Sequence, residues 1–431
     1  MSETKKKVLI ISYYWPPAGG GGVQRWLKFA RYLPSFNWSP IVYTPENPDY
    51  PILDHSLIRE VPADIEVLQH PIFEPYRWYR NLVGKKNKGL SAGFIRDQKE
   101  ESFGSKCIGW IRGNIILPDA RRFWIRPSIQ FLSSYLEEHP VDAIITTGPP
   151  HSMHLIGLGL KKRTGIPWIA DFRDPWVNMD HADKLRVGKA AMNRHRAWER
   201  KVVRSADQVI TASWHVAHQY EALRGKPVHV ITNGFDPADF PHEVNESHEW
   251  CIGHFGTMGD DRNPIHLWEA ISEIRRETGF AGKNVKLVFA GPTDAEIHSS
   301  LERAGLNDIL TFSPYLSHEE SVQKMMQCKL LLLPLNRNRS EEGRVPGKIF
   351  EYLATGNYIL GIGSPTGDSS RILRETKAGI MLSYDDKEGM RKVLADALNG
   401  TLDVKGVPHG VDQFSRRNLT LQLVNLLDRL E

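Results

Sequence analysis

Cysteine is scarce in this chain, and long apolar runs are absent. Three cysteines occur in 431 residues, and their wide spacing fits neither a disulfide framework nor a zinc site. No stretch of about 20 apolar residues occurs, so no membrane-spanning helix is predicted. Lysines at 5–7 precede apolar residues 8–11, but this run is too short for a signal peptide and is predicted to be the first strand. These absences predict a cytoplasmic protein.

A strong net charge is also absent. The chain has 55 basic and 51 acidic residues, a formal net charge of +4, which is too small to indicate nucleic-acid binding. Hydrophobic residues make up 41% and charged residues 25%, as in ordinary folded proteins. At about 100–200 residues per domain, the length of 431 residues predicts two domains.

Each half of the sequence alternates apolar strand-like runs with amphipathic helical stretches. This order predicts an α/β protein with two Rossmann-like, doubly wound parallel-sheet domains that face each other across a cleft. Turn and linker residues at 233–249 predict the joint between them. The predicted domains are residues 1–233 and 234–411. Residues 412–431, with leucines at helical spacing, are predicted to be a helix that braces the junction.

The most informative segment is residues 344–361, with the sequence RVPGKIFEYLATGNYILG. Pro346 favours a helix start, apolar residues follow at helical spacing, and Gly356 ends the helix. Lys348 and Glu351 therefore lie in the first turn, where free backbone N–H groups attract an anion. The pair suits a phosphorylated sugar, with Lys348 on the phosphates and Glu351 accepting from ribose hydroxyls. The alternative is a capped amphipathic helix whose charges are solvated.

A glycine-rich turn, residues 19–22, follows the first strand and leads into a helix. Glycines at a helix start let backbone N–H groups approach a phosphate closely. Neither the dinucleotide-binding G-x-G-x-x-G pattern nor a P-loop is present. A flexible loop without a ligand is the alternative interpretation.

Two clusters of polar residues follow later strands of the first half. His151 and His154 begin a predicted helix and share one of its faces. Metal binding is the weaker interpretation because no third ligand is evident. His151 is favoured as a donor to a sugar hydroxyl or phosphate, whereas helix packing suits His154 better. In the second cluster, ADFRDPW, Asp171 and Arg173 form either an internal ion pair or part of an acceptor site.

Taken in order, these motifs resemble those of retaining glycosyltransferases with the GT-B fold, in particular family-4-like bacterial enzymes that build surface polysaccharides and other glycoconjugates. The motifs are YYWPP, the glycine-rich turn, GPPHS, DFRDPW, TNGFD, HFGT, FAG and PGKIFEY. They extend over almost the whole chain, and their order and spacing carry the resemblance. It implies a hexosyltransferase-like enzyme of two Rossmann-like domains, with the nucleotide-sugar held mostly by the C-terminal domain.

The resemblance also implies roles for individual residues. Glu351 is expected on the donor ribose and the turn at Gly20 and Gly21 on the pyrophosphate. The donor-binding residues are Gly20, Gly21, Gly256, Thr257, Arg262, Arg344, Lys348 and Glu351. The residues expected in catalysis are His151, Arg173 and Lys348, and those on the acceptor side are His154, Asp171 and Arg173.

The chain departs from the family pattern at the donor sugar. Gly343 stands where the family often has the first of two glutamates spaced eight residues apart. Either Glu341 or Glu342 substitutes for it, or the contact to the sugar's far hydroxyls is lost. The departure matches the subgroup whose loop reads Pro-Gly-Lys or Pro-Ser-Lys and which keeps Glu351.

The phosphate-binding positions also depart from the pattern. Thr257 stands in place of an arginine and Asn263 in place of a lysine, so Arg262, Lys348 and Arg344 are expected to meet the phosphate charge. No Asp-x-Asp motif occurs in the chain. Fixed cations and a helix N-terminus stabilise a leaving diphosphate without metal. The expected reaction therefore uses neither a metal nor another cofactor, and the family's front-face attack by the acceptor hydroxyl needs no protein nucleophile.

Residues 76–128 form a long, basic and aromatic segment between predicted strands. They include 12 basic and four acidic residues, a local charge of 12 − 4 = +8, with aromatic residues interleaved. This composition favours attachment to an anionic membrane surface. The residues expected to be drawn to lipid are Lys85, Lys86, Lys88, Arg121 and Arg122, and Trp78, Trp110 or Trp124 is expected at the headgroup level. The alternative is an ordinary solvated insertion.

Three classes of function fit these observations. The first is a glycosyltransferase that uses a nucleotide-sugar and a glycan or polyprenyl-linked acceptor, in the cytoplasm or peripherally on the inner face of the cell membrane. The second is a sugar-nucleotide 2-epimerase of the same fold, with the His151 and Asp171 clusters as acid and base groups. The third is a non-catalytic nucleotide-sugar-binding protein. The basic segment favours the first over the second, and the density of polar groups at strand ends disfavours the third.

Overall fold

The computed structural model describes residues 5–74, 103–177, 187–241, 249–313, 316–338, 341–402 and 408–430. The chain divides into two compact units, Met1–Thr232 with Leu419–Glu431, and Asn233–Asn418. Each unit is built around one parallel sheet flanked by helices. This confirms the predicted α/β class with two parallel-sheet domains.

The strands of the first unit are β1 (Lys6–Ile11), β2 (Trp38–Pro45), β3 (Glu66–His70), β4 (Ala143–Gly148), β5 (Trp168–Phe172), β6 (Gln208–Thr211) and β7 (His229–Val230). They form a parallel sheet in the order β3-β2-β1-β4-β5-β6-β7. Its helices are α1 (Gly21–Tyr32), α2 (Phe103–Asn114), α3 (Ile125–Glu138), α4 (Ser152–Thr164), α5 (Lys189–Ser205) and α6 (Trp214–Arg224). Strands β4 and β5 are buried at every position, because helices cover both faces of the sheet.

The strands of the second unit are β8 (Trp250–Phe255), β9 (Val285–Ala290), β10 (Leu310–Ser313), β11 (Leu330–Pro334), β12 (Tyr358–Ile362) and β13 (Gly379–Leu382). They form a parallel sheet in the order β10-β9-β8-β11-β12-β13. Its helices are α7 (Ile265–Thr278), α8 (Ala295–Arg303), α9 (His318–Gln327), α10 (Lys348–Thr355), α11 (Asp368–Thr376) and α12 (Lys387–Asn399).

The strand order reverses once in each sheet. In the first unit the chain runs outward from β1 to β3 and then returns to place β4 on the other side of β1. In the second unit the same reversal places β11 beside β8. Open α/β sheets bind ligands outside the carboxyl ends of the strands at such a reversal. The fold therefore indicates one candidate position in each unit.

The chain ends in helix α13 (Arg416–Leu427), within the predicted helical segment 412–431. Its leucines, among them Leu419 and Leu423, join a hydrophobic cluster of the first unit that includes Trp26 and Trp38. Trp38 Nε1 also donates to the carboxylate of Asp428 at 3.2 Å. The helix therefore completes the core of the first unit.

Some side chains at the end of the basic segment pack inside the first unit. Trp124 is 0% exposed and stacks on Tyr43 with ring centroids 4.7 Å apart. Arg121 donates to the phenol oxygen of Tyr13 at 2.8 Å and pairs with Glu74 at 3.3 Å. The membrane role predicted for Arg121 and Trp124 is therefore wrong, because both side chains have partners inside the unit. Residues 76–102 lie outside the described ranges.

The burial of Trp124 predicts that replacing it lowers the stability of the protein far more than replacing Trp110 of the same segment. Trp124→Ala empties a packed position and should lower the free energy of unfolding by about 3–5 kcal/mol. Trp110→Ala is the matched control, since Trp110 is 52% exposed, and it should change the free energy by no more than about 0.5 kcal/mol. Urea unfolding followed by circular dichroism measures both, and equal effects would contradict the burial of Trp124.

Candidate active site

Two loops are brought together where the second sheet reverses, after β8 and after β11. Gly256 follows β8 with φ of +104°, in the left-handed region that favours glycine. A Cβ at this position would also stand 3.0 Å from Nζ of Lys348, the first residue of α10. The backbone N–H of Phe255 donates to the phenol oxygen of Tyr352 at 3.0 Å. This bond holds α10 against the end of β8.

Lys348 is a largely buried lysine that lies near the positive charge of Arg262. Among the described residues its ammonium group makes no hydrogen bond or ion pair. Burial, and then the nearby guanidinium of Arg262, lower the pKa of Lys348 to about 7, while Glu351 acts in the opposite direction. Arg262 lies in a short 3-10 turn and donates to the carbonyl of Thr257 at 3.2 Å. An anion bound here would favour the charged form of Lys348 and offset the repulsion from Arg262.

Glu351 lies one turn further along α10. Among the described residues its carboxylate accepts no hydrogen bond. Burial raises the pKa of Glu351, whereas the charges of His318, Arg416 and Lys348 oppose that shift. A carboxylate with unfilled acceptor positions is suited to bind hydroxyl groups.

His254 belongs to this site but was not singled out in the sequence. It lies on β8, 1% exposed, with Nδ1 3.0 Å from the carbonyl oxygen of Leu332. Burial, and then the charge of Lys348, lower the pKa of His254 well below its usual value, so the ring is neutral at pH 7. The only signal in the sequence was its place in the HFGT motif.

A cavity of about 430 Å³ opens at the carboxyl ends of β11, β12 and β13. It is lined by Arg337, Glu341, Glu342, Gly363, Ser364, Pro365, Ser383, Tyr384 and Asp385. The Glu342 carboxylate accepts hydrogen bonds from Ser364 Oγ at 2.7 Å and Thr366 Oγ1 at 3.1 Å. Burial, and then the charge of Glu342, raise the pKa of Glu341. Both glutamates adjacent to Gly343 therefore line one cavity.

The loops after β8 and β11, together with the start of α10, contain most of the residues expected to bind the donor. These are Gly256, Thr257, Arg262, Arg344, Lys348 and Glu351. Arg344 lies between β11 and α10, and its carbonyl oxygen accepts from Ser369 Oγ at 2.6 Å. The other two, Gly20 and Gly21, belong to the first unit.

In the first unit the glycine-rich turn follows β1 at the reversal of the sheet. Gly20 has φ of +89° and immediately precedes α1. A Cβ added at Gly20 or Gly21 would meet no atom within 4 Å, so the backbone there is open to approach. Gly22 differs, because a Cβ there would stand 2.8 Å from Arg173 Nη1.

Arg173 binds backbone carbonyls. Nη1 donates to the carbonyl of Gly22 at 2.8 Å and Nη2 to that of Pro149 at 2.5 Å. The backbone N–H of Arg173 donates to the carbonyl of Gly148 at 3.0 Å. Arg173 thus ties together the loops that follow β1, β4 and β5.

Asp171 pairs with Arg25 and not with Arg173. Its carboxylate is 0% exposed and accepts from Arg25 Nη2 at 2.8 Å. It also accepts from Trp26 Nε1 at 2.8 Å and Thr147 Oγ1 at 2.9 Å. We therefore assign Asp171 a structural role in place of the acceptor-side role expected from the sequence.

The two histidines after β4 have different surroundings. His154 is 0% exposed, and its Nδ1 lies 2.9 Å from Thr146 Oγ1. Burial lowers the pKa of His154 to about 3, so we assign it to helix packing and not to the acceptor. His151 stacks on Trp176 with ring centroids 4.8 Å apart, and neither ring nitrogen has a partner among the described residues. Burial lowers the pKa of His151 well below 6.5. The unpaired nitrogens leave His151 as the better candidate for ligand contact.

The described ranges contain neither a metal-binding cluster nor a membrane-spanning helix. No group of three or more His, Cys, Asp or Glu side chains there is placed to hold a metal ion. No helix there has the length and apolarity needed to cross a membrane.

Comparison with known proteins identifies the class of enzyme. Residues 108–234 match the family model of the glycosyl transferase 4-like domain, and residues 250–400 match that of glycosyl transferases group 1. No curated protein matches the sequence. The two matched segments and the two parallel-sheet units define the protein as a glycosyltransferase with the GT-B fold. The resemblance in the sequence is confirmed at that level.

Solved structures agree on the fold at low sequence identity. Sucrose-phosphate synthase from Thermosynechococcus elongatus is 13% identical, with a TM-score of 0.62 and 99% of each chain covered. The lipopolysaccharide outer core galactosyltransferase WaaB is 14% identical, with a TM-score of 0.59 and coverage of 98% of this chain and 99% of that chain. A protein assigned as a UDP-N-acetylglucosamine 2-epimerase from Listeria monocytogenes is 10% identical, with a TM-score of 0.59 and coverage of 98% and 96%.

The lowered pKa of Lys348 predicts a pH dependence of diphosphate binding. With a pKa of about 7 in the free protein, Lys348 loses its charge as the pH rises above 7, whereas a bound diphosphate favours the charged form. Binding above pH 7 therefore requires uptake of a proton, and the dissociation constant of a nucleoside diphosphate should rise by up to about tenfold per pH unit. Calorimetric titrations at pH 7, 8 and 9 measure this.

The controls replace one lysine at a time. Lys348→Met should bind the nucleoside diphosphate more weakly and without this pH dependence. Lys392→Met removes a lysine whose side chain is 75% exposed, so it should behave as the wild type. An affinity of the wild type that stays constant from pH 7 to 9 would contradict the assignment of Lys348.

Proposed function

We propose that the protein transfers a sugar from a nucleotide-sugar donor to a glycan or lipid-linked acceptor, with retention, in the synthesis of a bacterial surface glycan or glycoconjugate. The observation that carries this proposal is the pair Lys348 and Glu351, a cation and a carboxylate one turn apart at the start of α10. Neither has a hydrogen-bond partner among the described residues. The cation suits a diphosphate and the carboxylate suits ribose hydroxyls.

In the proposed complex the donor diphosphate lies at the N-terminus of α10. Lys348 and Arg262 supply positive charge, and backbone N–H groups of the first turn add the helix dipole. Gly256 leaves room for the ligand because it has no side chain, and Arg344 supplies a further positive charge from the loop between β11 and α10. Glu341 and Glu342 line the cavity of about 430 Å³ next to this loop and are proposed to bind sugar hydroxyls in place of the glutamate absent at Gly343.

The proposed reaction depends on charge stabilisation. When the sugar–oxygen bond of the donor breaks, negative charge develops on the leaving diphosphate, and Lys348 and Arg262 stabilise it in place of a metal ion. The acceptor hydroxyl attacks from the same face, and a departing phosphate oxygen takes its proton. No protein nucleophile takes part. In the first unit, His151 is proposed to contact the reacting sugar, Arg173 to hold the loop of His151, and Gly20 and Gly21 to approach the phosphates.

A sugar-nucleotide 2-epimerase is the second candidate function. The 2-epimerase among the structural neighbours and the unpaired ring nitrogens of His151 favour it. Epimerisation needs an acid and a base that both reach the substrate. Asp171, the partner that the sequence offered for His151, accepts four hydrogen bonds from three side chains inside the first unit and is 0% exposed. This burial weakens the epimerase candidate.

The proposed place of action is the cytoplasmic face of the cell membrane. A polyprenyl-linked acceptor is held in the bilayer, so the enzyme would have to bind the membrane surface to reach it. The net positive charge of residues 76–128 supports such binding.

Glu351→Gln tests the proposed ribose contact. The substitution keeps the shape of the side chain but replaces a charged acceptor by a neutral one, which should weaken nucleoside diphosphate binding by about 1–2 kcal/mol. Glu375→Gln is the matched control, since Glu375 is exposed and pairs only on the surface with Arg371. Calorimetry with both variants decides the matter. An affinity of Glu351→Gln equal to that of the wild type, with an intact fold by circular dichroism, would reject the assignment.

A further inference from the structure

Exposed apolar side chains of the first unit are concentrated around the end of α2. Five large apolar side chains there are each between 41% and 57% exposed. They are Phe73, Trp110, Ile111, Ile115 and Phe123, and we call them the apolar patch. Concentrations of exposed apolar side chains mark interaction surfaces, whereas single ones are ordinary.

Contacts join the members of the apolar patch and include an arginine. The rings of Phe73 and Phe123 meet edge to face with centroids 5.5 Å apart. The Arg122 guanidinium lies 5.7 Å from the centroid of Phe123 and donates to the carbonyl of Ile115 at 2.5 Å. The backbone N–H of Ile115 donates in turn to the carbonyl of Ile111 at 2.9 Å. These contacts connect four of the five members of the patch through Arg122, and Trp110 directly precedes Ile111 in α2.

The surroundings of the patch are positively charged. Residues 103–128 include five basic residues and one acidic residue, 5 − 1 = +4, which equals the formal net charge of the whole chain. The single acidic residue, Asp119, accepts hydrogen bonds from the backbone N and from Oγ of Ser152, at 2.9 and 2.8 Å. Its carboxylate is therefore bound within the first unit. Arg121 also points inward, whereas Arg122 is half-buried and Arg126 is exposed. Positive charge therefore remains on the surface beside Phe123.

We propose that the apolar patch seats the protein on an anionic lipid bilayer. Its aromatic and aliphatic side chains enter the headgroup region, and Arg122 and Arg126 bind lipid phosphates. The patch combines exposed aromatic side chains with arginines, and the one acidic residue of 103–128 does not face outward. This combination is complementary to an anionic lipid surface. The surface-binding residues thus differ from Trp124 and Arg121, which the sequence had suggested. The inference rests on the proposed function in one respect: membrane binding would give the enzyme access to a lipid-linked acceptor.

Vesicle sedimentation with the full chain tests the proposal. The two probes are phosphatidylcholine vesicles and phosphatidylcholine vesicles with added phosphatidylglycerol. The wild type should sediment with the anionic vesicles and much less with the neutral ones. Binding should weaken as the salt concentration rises, because salt screens the attraction between charges beyond about 10 Å at 0.1 M.

The double variant Ile115→Glu/Phe123→Glu and the variant Arg122→Glu should each bind the anionic vesicles about tenfold or more weakly than the wild type. The matched control Ile58→Glu changes an apolar residue of the same unit that is 50% exposed, and it should bind as the wild type does.

Several outcomes would overturn the proposal. Equal sedimentation of the wild type with both kinds of vesicle, or with neither, would overturn it. Binding of the patch variants with the same affinity as the wild type would also overturn it. A lower melting temperature of the patch variants would mean that the patch packs within the chain. A dimer that the patch variants disrupt would mean that a second copy covers it.

Donor hydrolysis without acceptor separates this inference from the proposed function. Hydrolysis of a nucleotide-sugar without vesicle binding would reject the membrane surface alone. Vesicle binding without activity on any nucleotide-sugar would reject the proposed function alone.

Discussion

The order of the parallel strands is the constraint on which the candidate donor site depends. Because β11 lies beside β8, the loops that follow these two strands meet at one edge of the second sheet. Gly256 begins the first loop and Lys348 begins the helix after the second, and the hydrogen bond between Phe255 and Tyr352 holds that helix against the end of β8. The consequence is a partly desolvated lysine near Arg262. Its lowered pKa expresses the cost of that arrangement, which a diphosphate would remove.

The same strand reversal in the first unit produces an internal network. The buried Asp171 carboxylate binds Arg25 and Trp26 of α1, and Arg173 binds the carbonyls around it. Removing one partner of such a buried ion pair typically costs about 3–5 kcal/mol, because the other charge is left uncompensated. The loops after β1, β4 and β5 are thereby fixed, and His151 is left with unpaired ring nitrogens beside them. The first unit therefore offers a rigid frame around one candidate ligand-binding side chain.

Elements with a long, clear pattern could be predicted from the sequence, whereas contacts between distant residues could not. The predicted alternation of strands and helices is present in both units, and the helix predicted to begin near Pro346 and end at Gly356 coincides with α10. Strands β3 and β13 and helices α11 and α12 were not predicted, because they are short or rich in charge and become recognisable only when packed. Lys348 could be placed because a helix start is a local signal. The pairing of Asp171 with Arg25 spans 146 residues and leaves no local signal.

We propose above all that this GT-B enzyme transfers a sugar from a nucleotide-sugar bound by Lys348 and Glu351. Its most direct test is to incubate the full chain with a panel of nucleotide-sugars in the presence of EDTA, with and without a bacterial lipid extract as acceptor. Proton NMR of the anomeric signals then follows both donor and product. The account predicts donor consumption that depends on the extract, and a product with the anomeric configuration of the donor. Epimerised nucleotide-sugar without transfer, or transfer only after a divalent ion is restored, would contradict it.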